Sequence, residues 1–204
     1  NSQIGVPLSV WQIDADHELG IFEAGISETD EMDKLQAIIQ PTIGIFSNIG
    51  QAHAENFIHQ DQKIAEKLKL FTRVQTLIYC SDHLEIKGLI LKSENLKNLK
   101  TFTWSYKPGA DLVVKKVLKY KHQSIIDALY KNQLIRITIP FIDEASVENA
   151  LHCWCTLLVM GFEHEVISRR MAGLAPVAMR LELKEGINNC SIINDSYNSD
   201  INSL

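Results

Sequence analysis

Three groups of polar side chains follow apolar stretches of this sequence and are candidates for one shared ligand site. They are Glu23 with Ser27 and Glu31, Asn48 with His53, and Asn194 with Asp195, Tyr197 and Asn198. In an open parallel sheet, ligands bind beyond the carboxyl ends of the strands, where side chains from distant parts of the chain meet. We therefore expect strands of one sheet to end at these groups and to bring them to one edge.

Each group also has a simpler structural explanation when it is taken alone. Glu23 can cap the turn that follows it, and His53 can be a hydrogen-bonded structural histidine. Residues 194–198 have the composition of an ordinary turn. Lys67 can be one of several lysines on a solvated helix face. The functional hypothesis therefore depends on the joint pattern.

The first half of the sequence alternates between helical and strand patterns. Apolar spacing predicts helices over residues 6–13, 28–40 and 64–71. Short apolar runs that end at glycine or polar residues predict strands over 19–24, 42–49 and 74–80, and residues 84–91 fit a short helix or a strand. Such alternation is typical of an α/β fold with a mostly parallel sheet.

The second half begins with a different pattern. Residues 101–106 alternate, and residues 111–140 are rich in β-branched side chains with turn residues near His122 and Lys131, which favours a small antiparallel sub-sheet. Helices are predicted over 146–160 and 164–172, ended by Gly161 and Gly173. Residues 179–194 then predict a hairpin that turns at 186–189.

The composition excludes several classes of protein. A chain of 204 residues with 46% hydrophobic residues can bury a core of its own. The formal net charge of −5 lacks the basic surface that binding to nucleic acid requires. No apolar run approaches the roughly 20 residues of a membrane-spanning helix, so we expect a cytoplasmic protein without membrane insertion. A monomer is expected as well.

The cysteines do not indicate a disulfide framework or a zinc site. Cys80, Cys153, Cys155 and Cys190 lack the spacing of either. Cys153 and Cys155 lie in an apolar helical stretch, where buried free thiols are expected.

Six short patterns occur in a fixed order along the chain. They are an acidic residue at Glu23, an Asn-x-x-x-x-His segment over 48–53, an Ala-x-Lys-x-x-x-Phe segment over 65–71, an Asn-Ala-Leu segment over 149–151, Arg180, and the turn over 194–198. Together they resemble the Mur ligase family over nearly the whole chain. Residues 1–8 and 195–198 are most similar to the branch of that family that ligates D-alanyl-D-alanine.

The resemblance implies a ligase that joins a carboxylate to an amine and uses ATP to make an acyl phosphate. The implied partners are UDP-N-acetylmuramoyl-tripeptide and D-alanyl-D-alanine, in peptidoglycan synthesis, with two Mg²⁺ ions as cofactors. Three alternatives stay open: a family ligase for another amino acid, a folylpolyglutamate synthase, and a non-catalytic module that binds a nucleotide sugar. A dinucleotide-binding oxidoreductase is disfavoured because no G-x-G-x-x-G follows an apolar strand.

The resemblance also implies a metal site and catalytic residues. Glu23, His53 and Lys67 match the family's magnesium ligands, with Lys67 carbamylated so that a cation becomes an anion. Lys69 is a nearby rival, but Lys67 stands four residues before Phe71, as in the family pattern. Lys67 and His53, with Arg180, are the implied catalytic residues.

A further set of residues matches family positions that contact the nucleotide. The set comprises Asn149, Arg180, Asp195, Tyr197 and Asn198. The planar guanidinium of Arg180 suits the γ-phosphate. Asp195 is expected at the ribose or the hinge, and Tyr197 and Asn198 are expected near the adenine ring.

Two features depart from the family pattern. Ser146 stands where the family commonly has an asparagine, and no Gly-x-x-x-x-Gly-Lys-Ser/Thr occurs in the sequence. We therefore expect residues 1–204 to be one Mur ligase central, ATP-binding domain and a fragment of a longer protein. Its α/β fold is expected to be a mostly parallel, Rossmann-like sheet flanked by helices, with the phosphate loop upstream and the C-terminal domain downstream.

Overall fold

A single six-stranded sheet forms the centre of the fold. The computed structural model describes residues 2–49, 57, 59–175 and 182–194. The strands are β1 Ile43–Phe46, β2 Thr76–Cys80, β3 Thr101–Ser105, β4 Leu112–Lys119, β5 Ser124–Tyr130 and β6 Gln133–Ile139, in that order across the sheet. The first three neighbouring pairs are parallel and the last two are antiparallel. The predicted mostly parallel sheet is confirmed, and the antiparallel strands extend it.

Six helices accompany the sheet in the described part of the chain. They are α1 Gly5–Val10, α2 Glu31–Ile39, α3 Gln60–Lys69, α4 Leu84–Lys92, α5 Glu144–Val159 and α6 His164–Ala172. Within the described residues, none of these helices is both long and apolar enough to span a bilayer.

The core lies on both faces of the sheet, as strand β2 shows. All five residues of β2 are buried. Leu77 and Tyr79 belong to a cluster with α2, α3 and α4, whereas Ile78 and Cys80 belong to a cluster with α5 and α6. Successive side chains of a strand point to opposite faces, so β2 is covered by helices on both sides. This arrangement explains why β2 is apolar without alternation.

The strand predicted over residues 19–24 is absent from the structure. This segment has no regular secondary structure, and Ile21 is 84% exposed. Among the described residues, β1 is the outer strand of the sheet on this side. A cavity of about 570 Å³ is lined by residues 19–24 and by β1. An apolar run becomes a strand only where a neighbour completes its backbone hydrogen bonds, and no described strand pairs with residues 19–24.

Local signals place most of the other boundaries correctly. Helix α6 spans the predicted residues, and α5 ends just before Gly161, whose φ is +82°. The predicted hairpin is formed by β7 Glu182–Glu185 and β8 Ser191–Asn194. Helix α2 begins later than predicted, because the Glu31 carboxylate accepts the backbone N–H groups of Ser27 and Glu28 and holds them in a turn.

The two cysteines of α5 have different environments. Cys155 is buried as predicted, but Cys153 is exposed. Residues two apart on a helix point in different directions, so a C-x-C pair cannot bury both thiols on one face.

Candidate active site

The cavity beside β1 brings together two of the predicted metal ligands. Glu23 lines it from the extended segment 19–24, and Lys67 lines it from α3. Ser47 and Asn48, which follow β1, line it as well. Carboxylate, amine and amide groups therefore meet at the carboxyl end of a parallel strand, where α/β folds bind ligands.

Lys67 is in an environment that disfavours its charged form. The side chain is half-buried, and burial lowers the pKa of its amine, as does the positive charge of Lys63. The carboxylate of Glu23 acts in the opposite direction and raises that pKa. Lys63 itself is only 4% exposed and stands four residues earlier, one turn along α3. The net result is a larger neutral fraction of the Lys67 amine.

Lys69, the rival of Lys67, is held by three carboxylates. Its Nζ atom lies 2.7 Å from Glu66, 3.0 Å from Asp30 and 3.2 Å from Asp33. Hydrogen bonding to Glu66 is the main reason why the pKa of Lys69 is raised. Glu66 is 4% exposed and also accepts the backbone N–H of Met32 at 3.3 Å. Lys69 therefore ties α3 to the start of α2 and remains a cation.

Among the acidic residues of the first candidate group, Glu31 has a structural role. Its carboxylate accepts N–H groups from Ser27 at 2.6 Å and from Glu28 at 3.0 Å. A negative charge in the first turn of a helix also interacts favourably with the positive end of the helix dipole. The carboxylate that faces the cavity is that of Glu23.

Helix α5 carries Asn149 and reaches the same end of β1. Asn149 is exposed and does not line the cavity. His152, three residues later, lies 3.1 Å from the carbonyl oxygen of Ser47 through Nε2. Its Nδ1 accepts a hydrogen bond from Nε1 of Trp104 at 3.3 Å. Burial lowers the pKa of His152 to about 4.

Sequence reasoning missed both Lys63 and His152. The signal for Lys63 was its spacing of four residues from Lys67 on a helix, which makes the two side chains neighbours. The signal for His152 was its spacing of three residues from Asn149. Neither spacing indicates function without knowledge of what each helix face contacts.

Several predicted site residues lie outside the described residues. They are His53, Arg180, Asp195, Tyr197 and Asn198. Asn194 is described and ends β8, which pairs with β7 in a separate two-stranded sheet. The prediction that this group follows a strand of the main sheet is therefore wrong, because a short apolar run does not show which sheet it joins.

The described residues supply an incomplete set of metal ligands. No group of three or more His, Cys, Asp or Glu side chains in that part of the chain is arranged to hold a metal ion. Glu23 offers the oxygen ligands that a hard divalent cation prefers. Lys67 as an ammonium would repel the cation, whereas a carbamate on its nitrogen would add oxygen ligands and a negative charge. The donor set fits magnesium when Lys67 carries a carbamate.

Comparison with known proteins relates this geometry to a family. A family model described as "Mur ligase middle domain" matches residues 1–157. The UDP-N-acetylmuramoyl-tripeptide–D-alanyl-D-alanine ligase of Rickettsia prowazekii (strain Madrid E) is 30% identical over 210 residues, covering 100% of this chain and 46% of the relative. The chain thus spans about half the length of that curated relative.

Two solved structures have a similar fold. MurF from Acinetobacter baumannii superposes with a TM-score of 0.85 at 21% identity, covering 98% of this chain and 44% of that one. MurF ligase from Thermotoga maritima, in complex with ADP, superposes with a TM-score of 0.71 at 18% identity, covering 87% of this chain and 40% of that one. At these identities the likeness concerns the fold.

Proposed function

Because the chain belongs to the Mur ligase middle-domain family, we propose that it is the central part of an ATP-dependent ligase that adds D-alanyl-D-alanine to UDP-N-acetylmuramoyl-tripeptide. The observation that carries this proposal is the cavity shared by Glu23 and the half-buried Lys67. The substrates follow the name of the Rickettsia relative, which aligns with the whole chain. The product would be a peptidoglycan precursor made in the cytoplasm.

The reaction has two steps. The carboxylate of the tripeptide attacks the γ-phosphorus of ATP, which forms an acyl phosphate and releases ADP. The amine of D-alanyl-D-alanine then attacks the acyl carbon, which forms the amide and releases phosphate and a proton. Catalysis of such transfers depends on positioning and on neutralising charge between anionic oxygens.

Lys67 is proposed to act as a carbamate. Its neutral amine attacks carbon dioxide, a C–N bond forms, and the nitrogen loses a proton. This addition requires a neutral amine, and burial together with Lys63 lowers the pKa of Lys67 in that direction. The paired ammonium of Lys69 is unsuited to it, since three carboxylates stabilise its charge.

Glu23, His53 and the carbamate on Lys67 would together hold magnesium. The bound ions would neutralise the oxygens between which the phosphoryl group passes. An imidazole is an unusual ligand for magnesium, so the place of His53 in this set rests on the family pattern. Glu23 and Lys67 are supported by the cavity that they share.

The nucleotide is proposed to contact a larger set of residues. The set comprises Asn149, Arg180, Asp195, Tyr197 and Asn198. The N-terminus of α5 is already capped by the carboxylate of Asp143, and Glu144 follows it. Two acidic side chains there disfavour a phosphate group, so Asn149 is better suited to the base or the ribose. The ADP complex of the Thermotoga MurF supports a nucleotide site in this fold.

The test is a ligation assay on the full-length ligase that carries this chain. With ATP, magnesium and the UDP-linked tripeptide, phosphate release is expected to depend on D-alanyl-D-alanine and to be lost in Glu23→Gln. Glu18→Gln, in an exposed position of the same region, is the matched control and should retain activity. The 204 residues alone are expected to bind ATP weakly and not to turn over, since they contain no Gly-x-x-x-x-Gly-Lys-Ser/Thr.

Other outcomes identify the alternatives. Turnover with a different amino acid, or with a folate and glutamate, in place of D-alanyl-D-alanine would assign the protein to another ligase of the family. Binding of the UDP-sugar without turnover by the full-length protein would indicate a non-catalytic module. Each result contradicts the proposed substrate or the proposed activity.

A further inference from the structure

We propose that His152 is a positioning residue that holds the Ser47–Asn48 segment against α5 and so shapes the metal-binding side of the cavity. The inference rests on the proposed function and adds to it a residue that none of the six sequence patterns includes. His152 is distant in sequence from Glu23 and Lys67, and its side chain acts on the cavity through the backbone of Ser47.

The partners of His152 determine which ring nitrogen carries the proton. A carbonyl oxygen can only accept a hydrogen bond, so Nε2 must donate to Ser47 at 3.1 Å. An indole N–H can only donate, so Nδ1 must accept from Trp104 at 3.3 Å. The imidazole is therefore the neutral Nε2–H tautomer, and both of its nitrogens are satisfied.

The carbonyl of Ser47 lies just beyond the last paired residue of β1. The parallel register of β1 ends at Phe46, which pairs with Tyr79. Ser47 is the next residue, and it lines the cavity together with Asn48, Glu23 and Lys67. The His152 imidazole gives this carbonyl a donor at the point where the pairing of β1 with β2 ends. It thereby connects α5 to the rim of the cavity.

The imidazole is itself held firmly in place. His152 is 3% exposed, and the Trp104 ring meets it edge-on with centroids 5.4 Å apart and an interplanar angle of 78°. The nearest carboxylate oxygen, on Glu148, is 4.0 Å from Nε2 and lies 2.9 Å from His83. A rigid donor of this kind fixes its acceptor in the way that outer-shell hydrogen bonds fix metal ligands.

Helix α5 reaches the cavity through Thr156, one turn after His152. Thr156 lines the cavity, and its hydroxyl donates to the carbonyl of His152 at 2.8 Å. The same helix carries Asn149, the predicted nucleotide contact, one turn before His152. The hydrogen bond to Ser47 therefore sets the spacing between the proposed metal side and the proposed nucleotide side of the site.

Two substitutions separate a positioning role from core packing. His152→Gln keeps a side-chain N–H donor, whereas His152→Leu has similar volume and no donor. In the full-length ligase, His152→Leu is expected to raise the magnesium concentration for half-maximal activity by about tenfold or more. His152→Gln should restore most of that loss. Equal behaviour of the two variants and the wild type would show that His152 only fills the core.

A spectroscopic readout does not depend on activity. In nitrogen-15 spectra of the wild-type protein, we expect His152 as the neutral Nε2–H tautomer and the Trp104 indole N–H as hydrogen-bonded. Amide exchange at Asn48 and Ile49 should be faster in His152→Leu than in His152→Gln. An Nδ1–H tautomer in the wild type would overturn the inference even if neither variant folds. Absence of ligation by the wild-type ligase would instead contradict the proposed function.

Discussion

Lys67 and Lys69 stand two residues apart on α3 and have opposite electrostatic environments. Burial and the charge of Lys63 lower the pKa of Lys67, whereas hydrogen bonds to Glu66 and its neighbours raise the pKa of Lys69. A helix turns by about 100° per residue, so side chains two apart point in different directions. One lysine faces the cavity with Glu23, and the other faces the start of α2.

Replacing each lysine should therefore affect a different property. We expect Lys67→Ala to reduce ligation by roughly a hundredfold or more and to gain nothing from added bicarbonate. Lys69→Ala should retain ligation but lower the free energy of unfolding by about 1–3 kcal/mol, because the buried carboxylate of Glu66 loses the cation that balances its charge. Ligation kinetics and urea unfolding of both variants check this. Full activity in Lys67→Ala would refute the carbamate.

Acid should destabilise the protein through His152. The pKa of His152 is lowered from 6.5 to about 4 in the folded state by burial. The folded state, in which His152 is neutral, therefore keeps its full stability relative to the unfolded state above pH 6.5. This stability is lost as the pH falls toward about 4, because the histidine of the unfolded state binds a proton at a higher pH than that of the folded state. The loss is on the order of 3 kcal/mol. Urea unfolding across this range measures it, and His152→Leu should lack this component of the decline.

Two glycines should respond oppositely to alanine. A Cβ atom on Gly44 of β1 would overlap the Phe71 ring, whereas one on Gly88 of α4 would meet no atom within 4 Å. We expect Gly44→Ala to destabilise the fold by about 1–3 kcal/mol. Gly88→Ala should stabilise it by about 0.5–1 kcal/mol, because alanine loses less conformational entropy than glycine when a helix interior folds. Thermal melting compares the pair, and a stabilised Gly44→Ala would contradict the packing of Phe71.

The start of α5 depends on a single cap. Asp143 accepts the backbone N–H of Ser146 at 2.7 Å. Asp143→Ala is expected to lower the free energy of unfolding by about 1 kcal/mol, while Asp143→Asn should be nearly neutral because asparagine caps equally well. Chemical denaturation of both variants measures the difference. Equal losses would mean that the charge, and not the cap, stabilises this end of the helix.

Much of the fold was predictable because its signals are local. Helix α6 matched its predicted bounds, and Gly161 marked the end of α5. Apolar periodicity, caps and turn residues act over a few positions, so they can be read from neighbouring letters of the sequence. The family pattern likewise selected Lys67 from its distance to Phe71, and the structure separates Lys67 from Lys69 by their surroundings.

Other features required atoms that are far apart in the chain. Residues 19–24 are apolar, yet no described strand pairs with them, and β8 belongs to a hairpin outside the main sheet. His152 interacts with Trp104 and Ser47, which lie on two different strands or strand ends. Strand pairing, burial and the pKa values that follow from them depend on which distant groups come into contact. The sequence therefore indicates the elements and the family. Only the tertiary structure decides which side chains share a cavity and in which direction burial shifts their pKa values.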